Sequence, residues 1–351
     1  MNSKKVNIIV LNYNNYQDTI ECINSILQLN YTNYNLIVID NASTNNSFDH
    51  LKNHFKFLKE NSPSYNYQLL DENETYIFDE SCQLYLTRSN ENNGYSSGNN
   101  IGIDISMKYT HFEYIWILNN DTIVDIESLT NQVNYFDSEV KNGNNLGILG
   151  SKLLNYFDQD KIQAVAGSYN KVWGFSKSIG LDKNSNEISQ IDTDKIDYII
   201  GASMFVSRNF ILNVGFLAAE YFLYFEELDW AQKARANKFS LGYCNDSLVY
   251  HKGGASVHFV ESLNKNIKSE FYSKNYLTEY YHTKSKLIYT HKYYPKFKNH
   301  IFIYIGILLI ILNRLRKGLL KNIYFILKAL YDFKSENRKL KAAKLSSVGP
   351  I

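Results

Sequence analysis

The sequence contains few residues of the kinds that stiffen or cross-link a chain: 3 prolines, 3 cysteines and 17 glycines among 351 residues. So little proline and glycine excludes a collagen-like or proline-rich architecture. Cys22, Cys82 and Cys244 stand far apart and form no Cys-x-x-Cys pair. This spacing argues against a disulfide scaffold or a zinc–thiolate site, and it is typical of a protein in a reducing cytosol.

Long apolar runs are also lacking. The longest is Ile301–Leu312, twelve residues, whereas a helix that spans a bilayer needs about 20. Near the N-terminus, the apolar stretch that begins at Val6 is already interrupted at Asn12, and it is too short for a secretory signal. We therefore expect a cytoplasmic protein without a spanning helix.

The sequence does contain enough apolar residues, 44%, for a large core, and its charge is distributed unevenly. Residues 284–344 hold 15 lysines and arginines against 2 acidic residues, a net charge of +13, whereas the rest of the chain carries −11. A basic segment on an acidic body indicates an anionic partner, either a nucleic acid or a membrane surface.

The first 120 residues alternate between apolar segments typical of strands and segments with helical spacing. The predicted strands are Val6–Leu11, Asn35–Ile39, Leu84–Thr87 and Tyr114–Leu118, and the predicted helices are Tyr16–Leu29, Ser47–Leu58 and Ser97–Lys108. Repeated strand–helix units imply a parallel sheet with helices on both faces. In such sheets ligands bind beyond the carboxyl ends of the strands, where this sequence places clusters of Asn, Asp and Ser.

The remainder of the chain is less regular. We predict a surface insertion at Glu60–Ser81, a strand at Ile196–Val206, a helix at Leu228–Asn237, two short strands at Ser240–Cys244 and Ser247–Tyr250, and a mostly helical region from about residue 265.

Asn119-Asn120-Asp121 follows the buried strand Tyr114–Leu118. A carboxylate at a strand end can hold Mg²⁺ or Mn²⁺, which prefer oxygen ligands, and such an ion can neutralise charge on a departing diphosphate. The alternative is a polar turn, in which Asp121 or Thr122 caps the next element.

A second candidate site is the acidic stretch Glu226-Glu227-Leu228-Asp229, which follows an aromatic segment. Crowded carboxylates raise one another's pKa, and one of them can then serve as a general base. The alternative is that acidic residues simply favour the first turn of a helix because of its dipole.

Two further stretches have the composition of a ligand site. His251 is followed by Lys252 and two glycines, and a neutral imidazole is a competent metal ligand, although an isolated histidine is more often only packed or hydrogen-bonded. Residues 93–102 combine glycine with small polar residues just before a predicted helix, which is a favourable place for an anion. They match neither a dinucleotide-binding fingerprint nor a Walker A loop.

Taken together and in order, these stretches resemble the inverting glycosyltransferases of family 2, which have the GT-A fold. Within that family the sequence is most similar to the bacterial branch that includes rhamnosyltransferases of O-antigen and capsule assembly. The matching stretches are Ile8–Asn14, Val38–Ser43, Asn93–Gly102, Leu118–Thr122, Gly201–Ser207, Phe222–Asp229 and His251–Ser256.

The resemblance implies a role for each matching residue. Asp40 is expected to contact a pyrimidine base, Asn12 and Tyr13 to line the nucleotide pocket, and Asn99 and Asn100 to lie near the nucleotide or the donor sugar. Asn119 stands where the family usually has the first Asp of its metal-binding motif, so the metal is expected to depend mainly on Asp121, with His251 close by.

For the acidic stretch, the resemblance leaves the base open. Glu227 stands where the family usually has Asp and is favoured, with Glu226 and Asp229 as the other candidates. One of these carboxylates deprotonates the acceptor hydroxyl, which displaces the nucleoside diphosphate with inversion.

The resemblance also implies a domain organisation. Residues 1–260 are expected to form an α/β GT-A catalytic domain, with a mostly parallel, Rossmann-like sheet flanked by helices. Residues 1–125 are its nucleotide-sugar-binding half and 126–260 its acceptor and catalytic half. Residues 261–351 form a basic, mostly helical extension. The expected donor is a UDP- or dTDP-sugar with Mg²⁺ or Mn²⁺.

Two other functions fit some of these features. A nucleotidyltransferase favours a basic, glycine-rich loop after the first strand, where this sequence has Asn12–Asn15. A catalytically inactive nucleotide-sugar-binding module is expected to have lost its carboxylates, which are all present.

The basic C-terminal segment combines its positive charge with the apolar run Ile301–Leu312, which binding to nucleic acid does not explain. This combination is typical of helices that lie in a membrane interface, and the alternative is a helical cap packed on the catalytic domain. We therefore expect peripheral attachment through residues 284–344 to the cytosolic face of the inner membrane, with a polyprenyl-linked glycan as acceptor and no nucleic-acid partner.

Overall fold

The computed structural model describes residues 3–62, 65–70, 79, 81–253 and 276–347. The described residues fall into two compact units. The first lies within Met1–Ser168, Lys177–Tyr221 and Glu226–Ala255, and the second within Tyr169–Ser176, Phe222–Phe225 and Ser256–Ile351. The predicted domain boundary at residue 260 is outside the described residues.

The strands are β1 (Val6–Asn12), β2 (Tyr34–Asp40), β3 (Tyr67–Leu70), β4 (Leu84–Arg88), β5 (Tyr114–Asn119), β6 (Thr122–Val124), β7 (Leu146–Asn155), β8 (Asp158–Ala164), β9 (Ala166–Asn170), β10 (Phe175–Ile179), β11 (Ser203–Ser207) and β12 (Ser240–His251). The helices that precede β12 are α1 (Tyr16–Ile26), α2 (Ser47–Asn61), α3 (Gly94–Tyr109), α4 (Ser128–Lys141), α5 (Arg208–Val214) and α6 (Glu226–Ala236).

Ten of the described strands form one sheet, in the order β3-β4-β2-β1-β5-β11-β7-β12-β6, with β8 paired to β7. The strands from β3 to β5 are parallel to their neighbours, whereas β11 and β6 run antiparallel to theirs. The core strands β1, β2 and β5 are buried almost throughout, as expected for parallel strands covered on both faces. The predicted mostly parallel α/β sheet is thus confirmed.

Helix α3 begins earlier than the sequence indicates, at Gly94. Gly98 and Gly102 lie inside this helix. A Cβ added at Gly98 would meet Leu11 Cδ1 at 2.5 Å, and one at Gly102 would meet Ile9 Cγ2 at 2.8 Å. These two glycines let α3 lie close against β1 and β2.

Three other predicted elements differ from the structure. The predicted insertion 60–81 contains the edge strand β3. The strand predicted at Ile196–Val206 is confined to β11, which a turn from Ile200 to Ser203 precedes. The two short strands predicted between 240 and 250 are one strand, β12, in which a register shift between Cys244 and Leu248 interrupts the pairing with β7.

The second unit is mainly helical, as predicted, with α7 (Tyr276–Tyr293), α8 (Phe297–Arg316) and α9 (Leu320–Ser347). Its core includes Leu287, Ile303, Ile307, Ile326 and Phe333. Among the described helices, none combines the length and the apolar content that crossing a bilayer requires.

Candidate active site

Asp121 and His251 are brought together at the carboxyl end of the sheet. Asp121 lies in the tight turn between β5 and β6, and β6 pairs with β12 so that Thr122 faces His251. His251 Nε2 is 3.1 Å from Asp121 Oδ1, and the Asn119 side-chain amide is 3.5 Å from the same ring nitrogen. Asn119 and Asp121 therefore share one location with His251, which is far from them in the sequence.

The other nitrogen of the His251 ring forms a hydrogen bond with the side chain of Gln163. Nδ1 lies 2.5 Å from Gln163 Oε1, and since an amide oxygen only accepts, Nδ1–H is the donor. In the neutral ring the lone pair is then on Nε2 and faces the Asp121 carboxylate. Two acceptors 3.1 Å apart repel each other unless a proton or a metal cation lies between them.

The donor set at this location fits a divalent ion. Ligands about 2.1 Å from an octahedral ion and adjacent to each other lie about 3 Å apart, which matches the Asp121–His251 separation. A carboxylate, an amide oxygen and an imidazole are ligands that Mn²⁺ accepts, and the bond to Gln163 is the outer contact usual for a ligating histidine. Within the described ranges, however, no group of three or more His, Cys, Asp or Glu side chains is placed to hold a metal, so Asp121 and His251 form only part of a coordination shell.

A second group of predicted residues lies at the ends of β1 and β2. The Asp40 side chain is fully buried, and it accepts hydrogen bonds from Asn12 Nδ2 at 2.7 Å and from the Ser43 amide at 3.0 Å. Arg88, which is half exposed at the end of β4, places its Nε 3.5 Å from Asp40 Oδ1. Asn12 also accepts from Thr19, so its polar atoms are engaged inside the protein. Tyr13 is exposed.

The two asparagines of α3 differ. The Asn100 side chain donates to the carbonyl oxygen of Leu217 at 2.9 Å and accepts from its amide at 3.1 Å, so it holds the loop that carries Leu217. Asn99 is fully buried and donates to Tyr95 O, while its Oδ1 has no hydrogen-bond partner among the described residues. Of the two, Asn99 has an acceptor available for a ligand or a water molecule.

The three acidic residues of α6 have distinct environments. Burial, then the charge of Glu227, raises the pKa of Glu226 well above that of an ordinary glutamate, and a hydrogen bond between the two carboxyl groups adds to this shift. This environment favours the protonated form of Glu226. Asp229 is fully buried, 2.9 Å from Lys233 Nζ and 3.4 Å from the Tyr221 hydroxyl, which is the environment of a structural ion pair.

Tyr95 connects the two groups of carboxylates. Its hydroxyl donates to Gly201 O at 2.7 Å. Burial raises the pKa of Tyr95 well above its usual value, and the nearby carboxylates of Glu226, Glu227 and Asp121 raise it further. The charges of Asp121 and of the two α6 glutamates therefore all act on one phenol.

Sequence reasoning did not identify Tyr95 and Gln163 as site residues. Tyr95 lies within a stretch that the sequence singles out, but only as a loop. Gln163 lies on β8, and no local pattern distinguishes it from other glutamines. Lys252, next to His251, was also missed. It pairs with Asp18 and Glu21 of α1, and its amide donates to Asp121 O at 3.0 Å, so it ties the end of β12 to α1 and to the Asp121 turn.

Comparison with known proteins identifies a family for this chain. Residues 7–211, more than half of the chain, match the family described as Glycosyl transferase family 2. A stretch of 161 residues is 27% identical to the low-salt glycan biosynthesis hexosyltransferase Agl10 of Haloferax volcanii. This match covers 46% of the chain and 49% of the relative, so the chain spans about half the length of the curated relative it matches.

Among solved structures, GalNAc-T7 with UDP, GalNAc and Mn2+ is similar with a TM-score of 0.52 and 13% identity, over 71% of this chain and 44% of that chain. The crystal structure of S. aureus TarS 1-349 is similar over 95% of this chain and 92% of that chain, with 13% identity and a TM-score of 0.46. The likeness to GalNAc-T7 shows a shared fold, the GT-A fold that the sequence predicts.

Proposed function

The chain belongs to glycosyl transferase family 2, and we propose that it transfers a sugar from a UDP- or dTDP-sugar to a hydroxyl group of a glycan acceptor, with inversion. The observation that carries this proposal is that the charge of Asp121, as well as those of Glu226 and Glu227, raises the pKa of one buried phenol, Tyr95, which indicates that the two groups of carboxylates lie in the same region. A cation site for a diphosphate and a carboxylate base next to it are the two parts that a single displacement needs.

In this proposal, Asp121, His251 and the side-chain oxygen of Asn119 hold Mg²⁺ or Mn²⁺. When bound, the ion supplies positive charge that stabilises the departing nucleoside diphosphate. Gln163 keeps the lone pair of His251 on Nε2, and the backbone bond from Lys252 to Asp121 keeps the two ligands in register.

Glu227 is the proposed base. It takes the proton of the acceptor hydroxyl as that oxygen attacks the anomeric carbon, and the bond to the diphosphate oxygen breaks on the opposite face. Glu226 stays protonated and hydrogen-bonded to Glu227, and therefore orients the base without competing for the proton. Asp229 is bound to Lys233 and Tyr221, so we assign it to the stability of α6.

The nucleotide is proposed to bind beyond β1, β2 and β4. Asp40 would contact its pyrimidine base, and Asn99 Oδ1 would face the nucleotide or the sugar. Asn12 and the Ser43 amide already donate hydrogen bonds to the Asp40 carboxylate. A nucleotide base would therefore bind Asp40 most easily by displacing Arg88, whose contact is longer. Asn12 and Asn100 support this pocket through their internal hydrogen bonds, and Tyr13 lines its exposed rim.

The acceptor is proposed to be a polyprenyl-linked glycan of bacterial surface polysaccharide, such as O-antigen or capsule, presented at the cytosolic face of the inner membrane. This proposal is supported by α8, which exposes a row of large apolar side chains: Ile301, Phe302, Tyr304, Ile305, Leu308, Leu309, Leu312 and Leu315. Arg316, Lys317 and Lys321 follow this row in the sequence, and such a basic rim favours anionic lipid.

The direct test is a donor screen with purified protein, UDP- and dTDP-sugars, Mn²⁺ and membrane-extracted acceptor. We expect nucleoside diphosphate release coupled to a glycosylated lipid product, loss of both in EDTA, and loss of both in Asp121→Asn. Pyrophosphate release from a nucleoside triphosphate and a sugar phosphate would instead identify a nucleotidyltransferase. Nucleotide-sugar binding without turnover under every condition would identify an inactive module.

A further inference from the structure

The four residues before α6, Phe222–Phe225, have an unusual backbone. Tyr224 has φ of 67° and Phe225 has φ of 74°, so two consecutive residues that are not glycine adopt the left-handed conformation. This conformation is unfavourable for residues that carry a Cβ, and it persists only where the surroundings enforce it. Glu226 is the next residue in the chain.

Helix α7 supplies those surroundings. The Phe222 ring stacks on Tyr281 with a centroid distance of 4.4 Å and an interplanar angle of 11°. The Ser285 hydroxyl donates to the Leu223 carbonyl oxygen at 2.9 Å. Tyr281 and Ser285 are four residues apart on one face of α7, so the segment is held by a ring and by a hydrogen bond one helical turn apart.

The last residue of the segment is enclosed by rings. Phe225 is buried, and Tyr169, His282 and Tyr289 surround it at centroid distances of 5.8, 5.4 and 5.4 Å. Burial, followed by the charge of Lys286, lowers the pKa of His282 to about 4. His282 is therefore neutral at physiological pH and packs as an aromatic ring, with its edge also toward Tyr224.

We propose that α7 positions the catalytic base: it clamps the segment Phe222–Phe225, in which Tyr224 and Phe225 are left-handed, and so determines where Glu226 and Glu227 enter α6. This inference rests on the proposed role of Glu227 and deepens it. Ser285 is a positioning residue, because it touches Leu223 and acts on the carboxylates only through the backbone. The C-terminal helices thereby contribute to the transfer step, in addition to any attachment to a membrane.

The chain offers a rescue test. Ser285→Ala removes the bond to Leu223 O, and the segment is then free to relax toward ordinary backbone. We expect kcat to fall by about tenfold or more, since small displacements of reacting groups are costly, with the donor KM within about twofold. Tyr224→Gly in the same chain removes the cost of the left-handed conformation, because glycine adopts it freely, and should restore most of the lost kcat.

Thr278→Ala, which removes an exposed hydroxyl from the same helix, is the matched control and should leave kcat unchanged. The clamp is overturned if Ser285→Ala transfers sugar at the wild-type rate, or if Tyr224→Gly leaves its loss unrepaired.

Amide hydrogen exchange over residues 222–227 separates this inference from the proposed activity. Faster exchange there in Ser285→Ala than in Thr278→Ala is expected whether or not the enzyme transfers sugar. Unchanged exchange in Ser285→Ala contradicts the clamp, while absence of transfer by the wild-type protein contradicts the proposed function alone.

Discussion

The imidazole of His251 and the carboxylate of Asp121 face each other across the turn between β5 and β6, with Nε2 3.1 Å from Oδ1. Because Gln163 Oε1 accepts a hydrogen bond from Nδ1–H, both facing atoms are acceptors in the neutral ring. In the proposed metal site, the affinity of this pair for the ion then depends on Gln163, which itself contacts neither the ion nor the substrate.

Gln163→Leu should weaken Mn²⁺ binding by about 10- to 100-fold, as replacing the outer partner of a ligating histidine usually does. The variant loses the acceptor that orients the ring, while its bulk is similar. The measurement is the Mn²⁺ concentration that gives half-maximal transfer. Gln163→Glu retains an acceptor and should stay near wild type. An unchanged Mn²⁺ requirement in Gln163→Leu would remove His251 from the metal site.

Glu227→Gln should bind nucleotide-sugar normally and transfer sugar about 10²-fold more slowly or worse, because it cannot accept a proton. Glu226→Gln should keep most of its activity, since burial and the charge of Glu227 raise the pKa of Glu226 and so favour its protonated form, which Gln imitates. Rates at saturating donor, together with donor affinity by calorimetry, distinguish the two variants. The reverse order, with Glu226→Gln inactive and Glu227→Gln active, would make Glu226 the base.

Asp40→Ala should raise the donor KM by about tenfold while kcat changes by less than about threefold. A contact to the nucleotide base is remote from the reacting carbon and is equally strong in the ground and transition states. Steady-state kinetics with varied donor concentration test this expectation. A large loss of kcat with an unchanged KM would contradict it.

Lys286→Met should stabilise the protein at pH 7. Lys286 is 1% exposed, and burial lowers its pKa from the ordinary 10.5 to about 8. The folded state thus binds the Lys286 proton less tightly than the unfolded state does. At any pH where Lys286 is protonated in both states, its buried charge therefore destabilises the folded state. We expect a gain of about 1–2 kcal/mol in the free energy of unfolding at pH 7.

The same linkage predicts that this gain shrinks as the pH rises from about 8 toward 10.5, because the native lysine then loses its proton before the unfolded one does. Denaturant unfolding at pH 7 and pH 10 measures the difference, and Lys298→Met, at an exposed position of α8, is the control. A constant difference at both pH values would mean that Lys286 is solvated or paired.

Leu308, Leu309 and Leu312 are each about half exposed on α8, and replacing all three by Gln should reduce binding to anionic lipid vesicles by at least tenfold. The loss follows from the apolar area that no longer enters the interface. Co-sedimentation at two salt concentrations is the measurement. Leu212→Gln, an equally exposed change on α5, should have no effect. Equal binding of the triple variant would reassign this surface to a protein partner.

The parts of the fold that the sequence predicts well are those with a strong local signal. β1, β2 and β5 are continuous apolar runs that end in Asn or Asp, so both the strands and the residues at their carboxyl ends were predictable. β3 is short, half polar and at an edge, and it lacks such a run. In β12 a register shift interrupts the pattern, so one strand was predicted as two.

The site residues, too, divide into those that a local sequence signal predicts and those that it does not. Asp40 and Asp121 were predictable as candidates because each lies where a buried strand ends. The pairing of His251 with Gln163, and the contact of Ser285 with Leu223, depend on residues far apart in the chain. Nothing in their immediate sequence marks them, because their role arises only when β8, β12 and α7 reach their final positions.

The close approach of α3 to the sheet has a consequence for engineering this protein. Replacing glycine by alanine inside a helix normally raises stability by up to about 1 kcal/mol. A design based on helix propensity would therefore replace Gly98 and Gly102 first. Here a methyl group at either position would meet Leu11 or Ile9 at 2.5–2.8 Å, so either these side chains or the helix must shift. Tyr95 and Asn99 lie on the same helix, so a shift of the helix would also move the proposed donor side of the site.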